Sequence, residues 1–299
     1  MRLPCPGTQR RRHIMPFALA SPRTLVQPGP IHPRRIDSFA GQARPLAFTV
    51  PAGLSLLTGL TAPLVAAGFQ AAVLRFAYAR VNPFHYVMPD HAADASHVAY
   101  FSAPRAPAGV SRIDQASATF GWHLGQPFLH CHAAWVEPGG QRCGGHILND
   151  ATILTGDVAV EAWAFDTIRV ETALDEETNF TLFQPSGQSI PGTNAVLARV
   201  RPNEDIVTAI ETIAHDHGMP NATIVGSVGS LIGARFTDGR EVRDHATEVR
   251  VTSGEVRNGT ATLDLMVVDM AGQVHEGRLA RGENPVCITF DLVLIGMAG

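Results

Sequence analysis

The residues of this chain best suited to chemistry are His130, His132 and His146. Leu129-His130-Cys131-His132 reads as a strand, where side chains two apart share a face, so His130 and His132 point the same way. Glu137-Pro138-Gly139-Gly140 has the composition of a turn and reverses the chain. With that turn centred near Gly139, residues whose numbers sum to about 278 face each other across a hairpin. His132 and His146 meet this condition, which places their Cβ atoms roughly 5 Å apart. Three neutral imidazoles brought together in this way would form an open divalent-metal site, zinc by preference, with a position left for water or a ligand. The plainer alternative is a set of histidines that pack on a sheet and hold nothing. Cys131 and Cys143 fall on the opposite face by the same alternation and read as buried thiols.

Other residues are candidates around this set. His123 could be a fourth ligand or a general base, and Arg142 and Asn149 flank the hairpin where they could contact an anion. His85, His91 and His97 lie in an insertion-like segment, Asn82–Arg112, long enough to cover the site. The run Gly226-Ser227-Val228-Gly229-Ser230 continues to Gly233 without the order of a dinucleotide fingerprint, which favours close sheet packing over a phosphate cradle. His215 and His217 are two apart on a helix and do not share a face. All 23 basic residues are Arg, so Schiff-base chemistry and a P-loop lysine are excluded. There is no G-x-S-x-G elbow.

These residues need a scaffold, and 299 residues allow two domains of ordinary size. No run approaches the roughly 20 apolar residues of a membrane span, and the N-terminus lacks the apolar core of a secretory signal. Four irregularly spaced cysteines suggest a reducing compartment, the cytoplasm. Residues 1–46 carry eight Arg against one Asp and read as a disordered Arg/Pro-rich tail, with Met15 as a candidate true start. The remaining body is acidic, a poor match for a phosphate backbone, so DNA is not an expected partner.

Beyond the tail, residues 47–184 and 198–299 read as two related domains joined by a linker over 185–197, which begins Pro185-Ser186-Gly187. In the second, Asn203 is the expected N-cap of a helix with a stripe at Ile206, Ile210 and Ile213 that ends at Gly218. In the first, Val50 to Gly68 matches it, with Pro63 expected to shorten the helix or delay its start. The turn at Glu137 recurs at Asp269, an offset of 132 residues. That offset turns His130, His132 and His146 into Thr262, Asp264 and Arg278, a degenerate second site in which Asp264 and Arg278 would pair as ions.

The order of these features resembles the plants-and-prokaryotes-conserved (PPC) domain family. The matching residues are Arg201-Pro202-Asn203-Glu204-Asp205, Gly226 to Ser230, Glu248 and Gly254 in the second half, and Gly121, His130, His132 and Gly144-Gly145-His146 in the first. The resemblance implies an α/β (α+β) fold of two tandem domains, each a bent antiparallel sheet with flanking helices, and assembly as a trimer of chains. It also implies metal on His130, His132 and His146, as in bacterial members. Plant members add an AT-hook, whose Arg-Gly-Arg-Pro core is missing here, and Gln115 stands where the second half has Glu248. The combined expectation is a metal-binding oligomer that binds, and could transform, a small anionic metabolite. A DNA-binding regulator and a metal-free structural protein are the alternatives.

Overall fold

The computed structural model describes residues 23–297. Its first half contains β1 (Ile36–Gly41), β2 (Arg44–Val50), α1 (Leu56–Ala66), β3 (Ala71–Val81), β4 (Tyr86–Val87), β5 (Pro89–Asp90), β6 (Tyr100–Phe101), β7 (Ser111–His123), β8 (Gln126–Val136), β9 (Arg142–Ile147), β10 (Val158–Phe165), β11 (Ile168–Leu174) and β12 (Thr181–Gly187). The second contains β13 (Ala195–Val200), α2 (Ile206–Asp216), β14 (Ala222–Leu231), β15 (Ala234–Arg235), β16 (Glu241–Val242), β17 (Thr247–Arg257), β18 (Thr260–Val268), β19 (Val274–Arg278) and β20 (Val286–Gly296). Apart from one parallel bridge between β11 and β7, every strand pair is antiparallel.

Two large sheets carry the same strand order. One runs β2-β10-β3-β7-β8-β9 and ends on β4; the other runs β13-β20-β14-β17-β18-β19 and begins on β1. In each, a helix follows the first strand of the repeat and packs on the sheet. Leu56, Leu60 and Leu64 of α1 bury against Phe120, Leu74 and Trp135, while Ile206, Ile210 and Ile213 of α2 bury against Leu263, Val251 and Phe290. A third apolar cluster, including Val73, Phe165, Leu197, Val225 and Val293, joins the two sheets. The halves are therefore two copies of one α+β unit, each with a single helix rather than several.

Several expectations need correction. Ile36–Gly41 is not part of a disordered tail, because it pairs with β13 along its whole length and edges the sheet of the second domain. Its own alternation is weak, so pairing with a distant strand rather than local propensity makes it a strand. Met15 and the rest of residues 1–22 lie outside the described residues. The linker is shorter than 185–197, since Pro185, Ser186 and Gly187 pair with β11 and Ala195 opens β13. Asp205, not Asn203, caps α2 by accepting from the Thr208 N–H at 2.9 Å. Pro63 lies inside α1 without shortening it: both helices have 11 residues, and Pro63 faces solvent while Leu60 and Leu64 hold the buried side.

Candidate metal centre between the two domains

The β8–β9 hairpin positions the imidazoles. Its turn closes through the Gly140 N–H donating to the Glu137 carbonyl at 2.8 Å, and the register places His132 opposite His146. His130 and His132 project from one face of β8, and candidate ligand atoms of all three histidines lie within 4.8 Å of one another. The Nε2 atoms of His130 and His132 are 3.1 Å apart. Gly144 and Gly145 bring this edge close to its neighbours. A Cβ on Gly144 would sit 2.6 Å from Val268 Cγ2 of the second domain, and one on Gly145, at φ +152°, would sit 2.5 Å from the Val87 carbonyl oxygen.

The second domain orients the rings. The His132 Nδ1–H donates to the Val249 carbonyl at 2.9 Å, and His130 Nδ1 lies 3.1 Å from Asp291 Oδ2. A carbonyl only accepts, so the neutral His132 carries its proton on Nδ1 and leaves a bare lone pair on Nε2. The Asp291 carboxylate selects the same tautomer at His130. With both rings neutral, two lone pairs face each other, an arrangement that a shared metal ion or proton relieves. The separation is also close to the edge of about 3.3 Å expected of a tetrahedron with zinc–nitrogen bonds near 2.0–2.1 Å. Burial and the neighbouring rings hold His132 well below its ordinary pKa, and burial with His130 lowers His146 to about 3, so these two present neutral imidazole. His146 keeps an exposed edge, but its Nδ1 is buried without a partner. The donor set fits a first-row divalent ion.

A chamber of about 80 Å³ opens beside the cluster, between the domains. His130 and His132 form one side; Thr247, Glu248 and Thr289 of the second domain form another. Tyr100, Phe101 and Phe180 cover it, and the Phe101 ring lies 5.3 Å from that of His146. Glu248 is buried, accepts the His146 backbone N–H and leaves Oε2 without a partner. Burial pushes its carboxyl well above the usual carboxylate range, against that hydrogen bond.

The remaining candidates separate. His123 bonds to Thr172 at 2.7 Å at the far end of β7, away from the cluster. Arg142 pairs with Glu276 on the surface. Asn149 donates to the Leu129 carbonyl at 3.1 Å and shares a shallow surface pocket with His146. The insertion does cover the site, but with aromatic rings: His91 stacks on His245, and His97 packs on Phe180. Gln115 is not the counterpart of Glu248, since Arg112 faces Val136 as Glu248 faces its repeat equivalent Val268. In the second copy Asp264 and Arg278 are register partners joined by an ion pair at 3.0 Å, and Thr262 lines a groove beside Arg278. Sequence reasoning missed Asp291 as a site residue and quoted Glu248 only as a matching position. Asp291 is an acid within a strand of otherwise apolar or β-branched residues, a signal of a buried polar partner, whereas Glu248 shares its strand with Arg250, Glu255 and Arg257 and carries no such signal.

Residues 188–297 match the Plants and Prokaryotes Conserved (PCC) domain. The second half of this chain is thus similar to a PCC domain. The first half, which holds the histidines, repeats its strand order. No curated protein matches the chain. Among solved structures, a PPC protein of Pyrococcus horikoshii is 16% identical with a TM-score of 0.39, over 48% of this chain and 94% of its own. A metal-containing protein of Archaeoglobus fulgidus is 18% identical with a TM-score of 0.40, over 49% and 97%. A candidate DNA-binding protein of Ralstonia eutropha JMP134 is 16% identical with a TM-score of 0.35, over 46% and 89%. Among the described residues no helix is long and apolar enough to cross a membrane.

Proposed function

We propose that His130, His132 and His146 hold one divalent ion, zinc by preference, and that the PCC-domain chain uses it to bind a small anionic ligand in the chamber between its two halves. The observation that carries this reading is the pair of Nε2 atoms 3.1 Å apart, with the Nδ1 of each ring held by an acceptor on the other domain. Orientation of ligand histidines by carbonyl and carboxylate partners is a common feature of metal centres. A bound ion would supply Lewis acidity and a water of lowered pKa. The residues around it contribute enclosure: the rings of Tyr100, Phe101 and Phe180 exclude solvent, and Glu248 presents a carboxyl to the same space. A volume of about 80 Å³ suits a ligand of a few non-hydrogen atoms, not a nucleotide. Among the described residues none that lines the chamber is a Lys or Arg, so the ion itself would balance an anionic ligand.

Elemental analysis of the purified chain tests the reading. One metal per chain in the wild type, lost in a folded His132→Ala variant, is the expected result; only trace metal in both overturns it. Assembly as a trimer of chains belongs to the same proposal, and light scattering gives the mass. DNA binding is the competing reading of the family, and names such as that of the Ralstonia eutropha protein run against setting it aside. A chain starting at residue 23 keeps β1 and drops four of the eight N-terminal arginines. Salt-dependent binding of duplex DNA by that chain would favour the DNA reading over the metal-ligand one.

A further inference from the structure

A second concavity, a cleft of about 670 Å³, lies between the domains and shares no lining residue with the histidine chamber. Two arginines face it, Arg75 of β3 and Arg250 of β17. Arg250 is only 4% exposed. It donates to the Val251 carbonyl and to Gln115, and its Nε–H is buried without a partner. Arg75 donates to the Ile224 carbonyl at 3.0 Å and stacks over Trp163, and its buried Nε–H is likewise unpartnered. Among the described residues no carboxylate lies within ion-pair distance of either guanidinium, and Glu161, the cross-strand neighbour of Arg75, acts on it only through space. Each arginine also disfavours the charge of the other. Two like charges enclosed without a counter-ion are costly unless an anion joins them.

The rest of the cleft indicates what kind of anion. Ala47, Ala77 and Ala159 put small apolar side chains on the cleft face beside Arg75, with Thr49, Gln115, Thr252 and Glu161 as polar points, whereas Phe48, Phe76 and Val160 alternate to the opposite face and pack in the first domain's core. At the rim stands Tyr78, 76% exposed and held at φ +56° inside β3. A bulky residue in the left-handed region is strained, and such strain concentrates where a side chain must be aimed at a ligand. We propose that this cleft binds a small organic oxyanion, a carboxylate or phosphate ester with an apolar body, through the guanidinium forks of Arg75 and Arg250. Planar guanidinium groups match both oxyanions bidentately, and the alanine floor with the exposed Tyr78 at the rim would receive the body.

Calorimetric titration of the full chain with benzoate, phenyl phosphate, inorganic phosphate and neutral benzamide tests this. Benzoate and phenyl phosphate are expected to bind once per chain, with benzamide at least about tenfold weaker and inorganic phosphate weaker than phenyl phosphate. Arg75→Gln and Arg250→Gln should each weaken the anions by about tenfold or more. Glu161→Gln, on an exposed position, should tighten them by removing the nearest negative charge. His132→Ala should leave them unchanged, which separates this site from the metal centre. Equal binding of benzoate and benzamide, or unchanged anion affinity in both Arg75→Gln and Glu161→Gln, would overturn the proposal. It also fails if no anion binds, and a change of mass in Arg75→Gln would then mark the cleft as a contact between copies.

Discussion

At His130 and His132 the decisive feature is the tautomer rather than mere proximity. Val249 and Asp291 fix the protons on Nδ1, so the Nε2 lone pairs converge. The hairpin that supplies the imidazoles was legible in the sequence, because alternation and turn composition are local signals. The acceptors were not, since they belong to strands more than one hundred residues away. Loss of such an orienting partner typically costs 10–100-fold in metal affinity. Asp291→Asn should therefore weaken zinc by about that range in a competition titration with a chromophoric chelator. An affinity equal to the wild type would show that Asp291 does not orient His130.

Among the elements, β14 and β17 show how a strand can serve two sheets. Glu248 faces the histidine chamber and Arg250 the second cleft, with Val249 between them offering its carbonyl to His132. Gly226 of β14 sits at φ +63°, where a Cβ would lie 2.5 Å from Val73 Cβ of the first domain. Close packing, not phosphate binding, therefore accounts for that glycine in the Gly-rich run. Gly226→Ala should destabilise the chain by about 2–4 kcal/mol through overpacking and a left-handed alanine, read from urea unfolding. A change below about 0.5 kcal/mol would mean that the two sheets give way easily. The helices and long strands were readable from periodicity, as was the repeat. Strand β1 was not, because its partner β13 lies far along the chain and its own residues are flanked by Pro and Arg.

Across the whole molecule, the domains are held as one body by a buried charge network as well as by apolar packing. Asp175, in the β11–β12 hairpin, accepts from Arg199 and Arg201 at 2.7 Å each, and Arg201 also reaches Asp37 of β1 at 2.8 Å. Burial opposes charge on Asp175, but Arg199 and the Thr178 bonds outweigh it and lower the carboxyl to about 2. A depressed folded-state pKa contributes stability that is present above the ordinary carboxylate value and lost as pH falls through about 2. Asp175→Asn leaves two buried guanidinium groups without their shared anion and should cost about 3 kcal/mol at neutral pH. The difference from wild type should shrink on acidification from pH 4 towards 2, followed by denaturant unfolding; a difference independent of pH would contradict this role. None of this network was visible in the sequence, where Asp175 is one acid among several and its arginine partners lie more than twenty residues on, at the end of β13.

The proposed metal centre is tested most directly by X-ray absorption at the zinc edge on the purified chain loaded with one equivalent of zinc. Three imidazole nitrogens at about 2.0–2.1 Å, completed by one light-atom ligand and reduced in His146→Ala, is the expected coordination shell. A shell of oxygens alone, or a spectrum indifferent to His130, His132 and His146, would contradict it.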